Sequence, residues 1–176
     1  EKDIEREKME KELVLAAQIQ KDILPKENPK SEIFGVGGIN IPCYQIGGDY
    51  YDFIPISINH LGITIADVSG KGVSASLLMH SLRAALYSEV HPNFKIEEMA
   101  TKLNDFVYKS SAPNRFITFF FGELNEKTGE IKYINACHNL PFIISTKKQV
   151  QRLESCSFSL GMFPFVIYEA KKNYQS

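Results

Sequence analysis

ITIADVSGKGVSASLLM, residues 63 to 79, contains a strand, a turn and the opening of a helix in one run. Ile63, Ile65 and Ala66 carry an apolar strand into Asp67, Ser69-Gly70-Lys71-Gly72 makes a glycine-rich crossing, and Val73, Leu77 and Leu78 begin a 3.6-residue period. A strand that ends on an aspartate and releases into such a turn leaves a carboxylate at a sheet edge with backbone carbonyls beside it. Hard divalent cations are held by those two kinds of oxygen together with water. The helix after Gly72 presents unpaired N–H groups that attract anions. The segment therefore reads as a neighbourhood for a metal and a phosphate.

The rest of the chain is arranged around it. Upstream, Ile33 to Ile41, Tyr50 to Ile56 and His60 to Val68 are β-rich runs separated by Gly, Pro, Ser and Asn, and read as three consecutive strands. Downstream, Val73, Leu77, Leu78, Leu82, Ala85 and Leu86 predict one amphipathic helix, and Ile96, Met99, Ala100, Leu103 and Val107 a second. RFITFFFGEL (115–124), the turn NEKTG, EIKYINA, PFIIST and VQRLE then predict short strands in an antiparallel meander. Strands, two helices and strands again make an α+β domain with helices covering a sheet system.

Ten of the first twelve residues are charged, which fits an exposed helix laced by i,i+4 pairs. A seam at Met9, Leu13, Ala16, Gln20 and Ile23 runs to the helix-breaking Pro25 and Pro29. Two readings stand open for this helix. It lies on its own domain, or it dimerises and transmits a signal from a preceding domain. Residues 1–28 are accordingly set apart as a linker or regulatory helix and residues 29–176 as the folded domain.

Composition excludes several classes. The 176 residues carry a net charge of −1, with 44% hydrophobic and 23% charged side chains. No basic, aromatic-interleaved platform for nucleic acid is present, and no apolar run approaches the roughly 18 residues of a membrane span. The charged N-terminus is unlike a secretion signal, so a cytoplasmic location is expected. Cys43, Cys137 and Cys156 form no C-x-x-C pair and read as reduced packing residues. SGKG lacks the spacing of a P-loop, which ranks an ATPase or kinase last, and GVGGIN does not complete a dinucleotide fingerprint. His60, His80, His91 and His138 fit no zinc pattern, and no G-x-S-x-G elbow occurs.

GGDYYDF, residues 47 to 53, supplies the second half of the site. Alone, Asp49 and Asp52 would read as a turn acid and a strand-edge acid, but in the company of Asp67 they read as residues of a functional site. In order, AAQIQKDILP, GGDYYDF, IADVSGKGVSASLLM, RFITFFFGEL, YINACHNLPFII and SLGMFP closely resemble the SpoIIE/RsbU-type family of bacterial PPM protein phosphatases. The resemblance covers essentially the whole chain.

It implies an antiparallel β-sandwich flanked by helices and serine/threonine phosphoprotein phosphatase activity. Two Mn2+ or Mg2+ ions and attack by a metal-bridging water are implied with it, and the substrates are often anti-anti-sigma factors. It assigns Asp49 and Asp67 as metal-binding catalytic acids and the Val68 carbonyl as a further ligand. Asp52 takes a supporting role, and Thr118 and the His138-Asn139 turn take structural ones. A homodimer through the N-terminal helix remains an expected partner arrangement. A non-catalytic phosphoprotein-binding or dimerising module is the alternative.

Two departures accompany the resemblance. Family members commonly have Gly where this chain has Cys137, which would strain a turn if φ there is positive. They also carry a Thr-Asp-Gly motif and a later aspartate after LGMFP, whereas Glu169 is the one acid in this sequence beyond Gly161. The expectation is a domain incomplete at its C-terminus, whose residues alone bind metal weakly and turn over little substrate.

Overall fold

The structure, a computed structural model, describes residues 2–30, 35–42, 46–144, 148–154 and 157–174. Helix α1 (Lys2–Ile23) leads into strands β1 (Asp49–Ser57) and β2 (His60–Val68), then helices α2 (Val73–Glu89) and α3 (Ile96–Ser110). Strands β3 (Ile117–Asn125), β4 (Glu130–Ala136), β5 (Phe142–Ile144), β6 (Val150–Arg152) and β7 (Lys171–Tyr174) follow. The main sheet is antiparallel in the order β1-β2-β3-β4-β7, and β5-β6 form a separate two-stranded sheet.

Period-2 alternation explains why the main sheet has two different faces. On one, Tyr50, Ile54, Ile56, Ala66, Val68, Ile117, Phe119, Phe121 and Ile134 pack against α2 and α3 in the principal core. On the other, Phe120, Tyr133 and Ile131 meet Ile143 and Leu153 at the small sheet. The α+β sandwich is thus present, its second layer being β5-β6 among the described residues.

Helix α3 buries the stripe expected of it: Ile96, Met99, Ala100, Leu103 and Val107. Helix α2 is rotated from expectation. It buries Ala75, Ser76, Met79, Leu82 and Leu86, while Val73 and Leu77 are exposed. This helix is apolar over a wide arc, so periodicity alone does not choose its face. Packing against the sheet does: Ala75, Met79, Leu82 and Leu86 join the principal core, with Ala75 beside Gly48, where an added Cβ would lie 3.3 Å from the Ala75 Cβ.

Three other expectations are corrected. The run Ile33 to Ile41 is no strand in its described part, residues 35–41, which make only an isolated bridge from Gly35 to Lys30; residues 33 and 34 lie outside the described residues. Its polar and glycine content gives no sustained alternation to bury. The meander ends at β4, since the chain crosses to the second layer for β5-β6 and returns as β7 beside β4. Finally, Cys137 is exposed rather than packed, and Cys43 and Cys156 lie outside the described residues.

The Cys137 backbone has φ 58°, the left-handed region where a side chain costs about 1–2 kcal/mol. Glycine would relieve that strain but would add unfolded-state entropy. The thiol also donates to the Ser157 carbonyl at 3.1 Å, a weak bond. Cys137→Gly is therefore expected to stabilise by about 0.5 kcal/mol, read as a rise in the urea midpoint at unchanged m-value.

Candidate functional site

Asp49 opens β1 and Asp67 lies one residue from the end of β2, and the two are direct partners in the antiparallel register. The Val68 amide donates to the Gly48 carbonyl at 3.4 Å. The next pair inward, Asp49 with Asp67, is therefore a non-hydrogen-bonded pair, the type in which side chains approach most closely. Both carboxylates leave the sheet on the face opposite α2 and α3. Gly48 makes the approach of the strand ends feasible, because an added Cβ would sit 2.9 Å from the Val68 carbonyl oxygen.

The pair carries more negative charge than its surroundings neutralise. Burial, the Asp49 charge and a hydrogen bond with Asp49 all push the Asp67 carboxyl up from the ordinary carboxylate range. Two carboxylates with a backbone carbonyl near the strand ends are the oxygen donors that Mg2+ and Mn2+ take. The residues thus fit a hard divalent cation as a partial ligand set. Among the described residues no group of three or more His, Cys, Asp or Glu is placed to hold an ion, so water or other donors would complete the shell.

Asp52 does not face that pair. It is buried on the helix side, where its Oδ2 accepts from Tyr50 (2.8 Å) and Tyr87 (3.0 Å) and lies 3.4 Å from Arg83 Nε. Burial and the Asp52 charge push both phenols up. Its supporting role is to tie β1 to α2 beneath Asp49.

Two features were not read as part of a site in the sequence. Gln20 closes on the glycine turn, its Nε2 donating to the Gly47 carbonyl at 2.5 Å and its Oε1 accepting from the Gly47 amide at 3.0 Å. A polar residue at a seam position, otherwise apolar, was the available signal. Along that seam Leu13, Ala16 and Ile23 are half-buried and Met9 is exposed, so the C-terminal half of α1 docks on the domain. His138 and Thr118 also join the acid side. The ring Nδ1 lies 2.9 Å from Thr118 Oγ1, and a cavity of about 400 Å3 is lined by Asp49, Asp67, His138 and Asn139. The other histidines make local contacts, His60 with Glu123, His80 with the Ser76 carbonyl and His91 with that of Pro92.

On the turn side, Gly70 (φ 101°) and Gly72 (φ 74°) adopt conformations that favour glycine. Arg115 braces this turn, donating to the Ser69 carbonyl and, at 3.2 Å, to Ser74 Oγ. Among the described residues no helix is long and apolar enough to cross a membrane.

Known proteins share this arrangement of chain. The phosphoserine phosphatase RsbU of Bacillus subtilis is 30% identical over 158 residues, covering 89% of this chain and 47% of its own length. The chain therefore spans about half of that relative. The SiaA-PP2C domain of Pseudomonas aeruginosa superposes with a TM-score of 0.73 at 16% identity, over 97% of this chain and 69% of that one. The RsbU and RsbW domains of Rv1364c from Mycobacterium tuberculosis give 0.67 at 23% identity, over 77% and 38%. These two likenesses establish the fold. The family model for stage II sporulation protein E matches residues 57–173, from the end of β1 into β7, and with it this chain belongs to the SpoIIE family.

Proposed function

We propose that this chain is the catalytic part of a metal-dependent serine/threonine phosphoprotein phosphatase of bacterial signalling, acting on an anti-anti-sigma-type phosphoprotein. The observation that carries the reading is the facing pair Asp49 and Asp67 on a fold shared with phosphatase domains. Asp49, Asp67 and the Val68 carbonyl would hold Mn2+ or Mg2+. When bound, such ions acidify a water and neutralise charge on the transferring phosphoryl oxygens.

The chain's own residues supply position. Gly48 lets the strand ends close, Asp52 anchors β1 from below, and Arg115 fixes the turn that follows Val68. Phosphate release from a phosphoserine peptide by the full-length protein, with Mn2+ against EDTA, tests the reading. Equal release under both conditions rejects metal dependence. Retained peptide binding with no release in Mn2+ favours a non-catalytic binding module instead.

Residues 1–28 act in this scheme as a regulatory helix. Gln20 grips the backbone two residues before Asp49, so a shift of α1 moves a ligand directly. Dimerisation through the exposed half of α1 would supply such a shift. Gln20→Ala leaves the half-buried Gly47 amide and carbonyl without this partner. Supporting groups of this kind are worth roughly 10–100-fold in metal affinity. The variant is expected to lose about tenfold in turnover at limiting Mn2+ and to recover most of it at saturating Mn2+.

A further inference from the structure

Asp49, Asp67 and Thr118 stand in one row across three strands, because Asp49 pairs with Asp67 and Asp67 with Thr118. Directly opposed residues share a sheet face, so the Thr118 hydroxyl lies on the acid side, one strand spacing of about 4.8 Å beyond Asp67. His138 caps it. Its Nδ1 is 2.9 Å from Thr118 Oγ1, and its backbone amide donates to Asn135 Oδ1 at 2.8 Å, so both ring and main chain are located.

The ring is already engaged through Nδ1 by the Thr118 hydroxyl, one strand beyond the acid pair. It is a wall of the same cavity as the acids. Among the described residues no Lys or Arg lines that cavity; its side-chain donors are the His138 ring, the amides of Asn40 and Asn139, and hydroxyls such as those of Tyr51 and Thr64, which already donate to the carbonyls of Gly38 and Phe120. Of these, the ring is the one held by a residue in the same row as the acids. A phosphoryl group brought to the acid pair by cations still needs donors for its outward oxygens. An imidazole with Nδ1 engaged by a hydroxyl leaves Nε2 for that purpose. Burial holds this ring toward its neutral form, with the Asp49 charge opposing.

We propose that His138 is a substrate-binding catalytic residue that donates through Nε2 to a phosphoryl oxygen of the phosphoserine substrate, with Thr118 as its positioning residue. The assignment rests on the phosphatase reading above.

Two side-chain amides separate the ring nitrogens. In the full-length protein with saturating Mn2+, His138→Asn places an amide near Nδ1 and loses the donor at Nε2, whereas His138→Gln places one near Nε2. The Asn variant is expected to raise KM for a phosphoserine peptide by about 10- to 100-fold, the loss of one hydrogen bond to a charged oxygen, with melting temperature and Mn2+ affinity unchanged. The Gln variant should stay within about threefold of wild type by the same reasoning. Thr118→Val should raise KM several-fold and Thr118→Ser restore it. An Asn variant with wild-type KM overturns the proposal, as does one whose only change is a lower melting temperature or lost Mn2+ affinity.

A binding measurement keeps the two readings apart. Inorganic phosphate titrated into the Mg2+-loaded wild type should shift the His138 Nε2 resonance, and an unmoved resonance overturns the proposal whether or not the protein hydrolyses the peptide. A shifted resonance in a protein that releases no phosphate supports His138 as the donor and rejects the phosphatase reading alone.

Discussion

Replacing Asp67 by Asn is expected to make the full-length protein slightly more stable without metal, and to remove both its thermal response to Mn2+ and its phosphatase turnover. Opposite signs in one variant are what a cation site produces and a structural acid does not. Asp67 directly faces Asp49 on adjacent strands, and burial together with that neighbour already pushes its carboxyl up. Like charges directly opposed on a sheet cost about 0.2–1 kcal/mol, which the neutral, isosteric amide relieves. In the wild type, Mn2+ at 100 times its dissociation constant should add about 2.7 kcal/mol. For a chain of this size that is a rise of roughly 5–10 °C.

The Asn variant should show little of that rise. Its turnover should fall by at least about 100-fold, because even groups that only support a ligand cost 10- to 100-fold. Differential scanning fluorimetry with and without Mn2+, alongside phosphate release, reads all three effects. A variant that keeps the full Mn2+ shift would remove Asp67 from the ion site.

The second large effect lies away from the acids. Asn104 on α3 is completely buried. Its Oδ1 accepts from the Gly161 amide at 2.9 Å and the Tyr168 hydroxyl at 3.4 Å, and its Nδ2 donates to the Phe163 carbonyl at 3.0 Å. One side chain therefore fastens the whole segment that leads from Gly161 to Tyr168. That segment has no other regular structure, and Gly161 sits at φ 78° with Val107 so near that an added Cβ would overlap it.

Asn104→Leu keeps the volume and strands the Gly161 amide and Phe163 carbonyl. Each orphaned group costs about 1–3 kcal/mol, so a loss of about 3–5 kcal/mol is expected, or roughly 8–15 °C in melting temperature. Urea unfolding measures it. A loss under about 1 kcal/mol would mean that water replaces the side chain's bonds, against the burial seen here.

How legible the chain was in its sequence differed from element to element. Helix α3 announced its buried stripe residue by residue, because its polar face is charged and its apolar face narrow. Helix α2 did not, because its apolar residues span a wide arc and packing against the sheet selects the face. The strand expected over Ile33 to Ile41 rested on composition, and its described part forms no lasting partnership with another strand.

The site divided in the same way. Sequence by itself determined that two aspartates end up where a glycine-rich backbone frees carbonyls beside them, since strand ends, turns and donor chemistry are local matters decided within a few residues. Tertiary structure alone decided that Gln20, Thr118 and His138 join them. Those three are 27, 51 and 71 residues from Gly47, Asp67 and Asp67 respectively. Their meeting depends on sheet register and on the docking angle of α1, which are set by packing of the whole core rather than by any neighbouring residue.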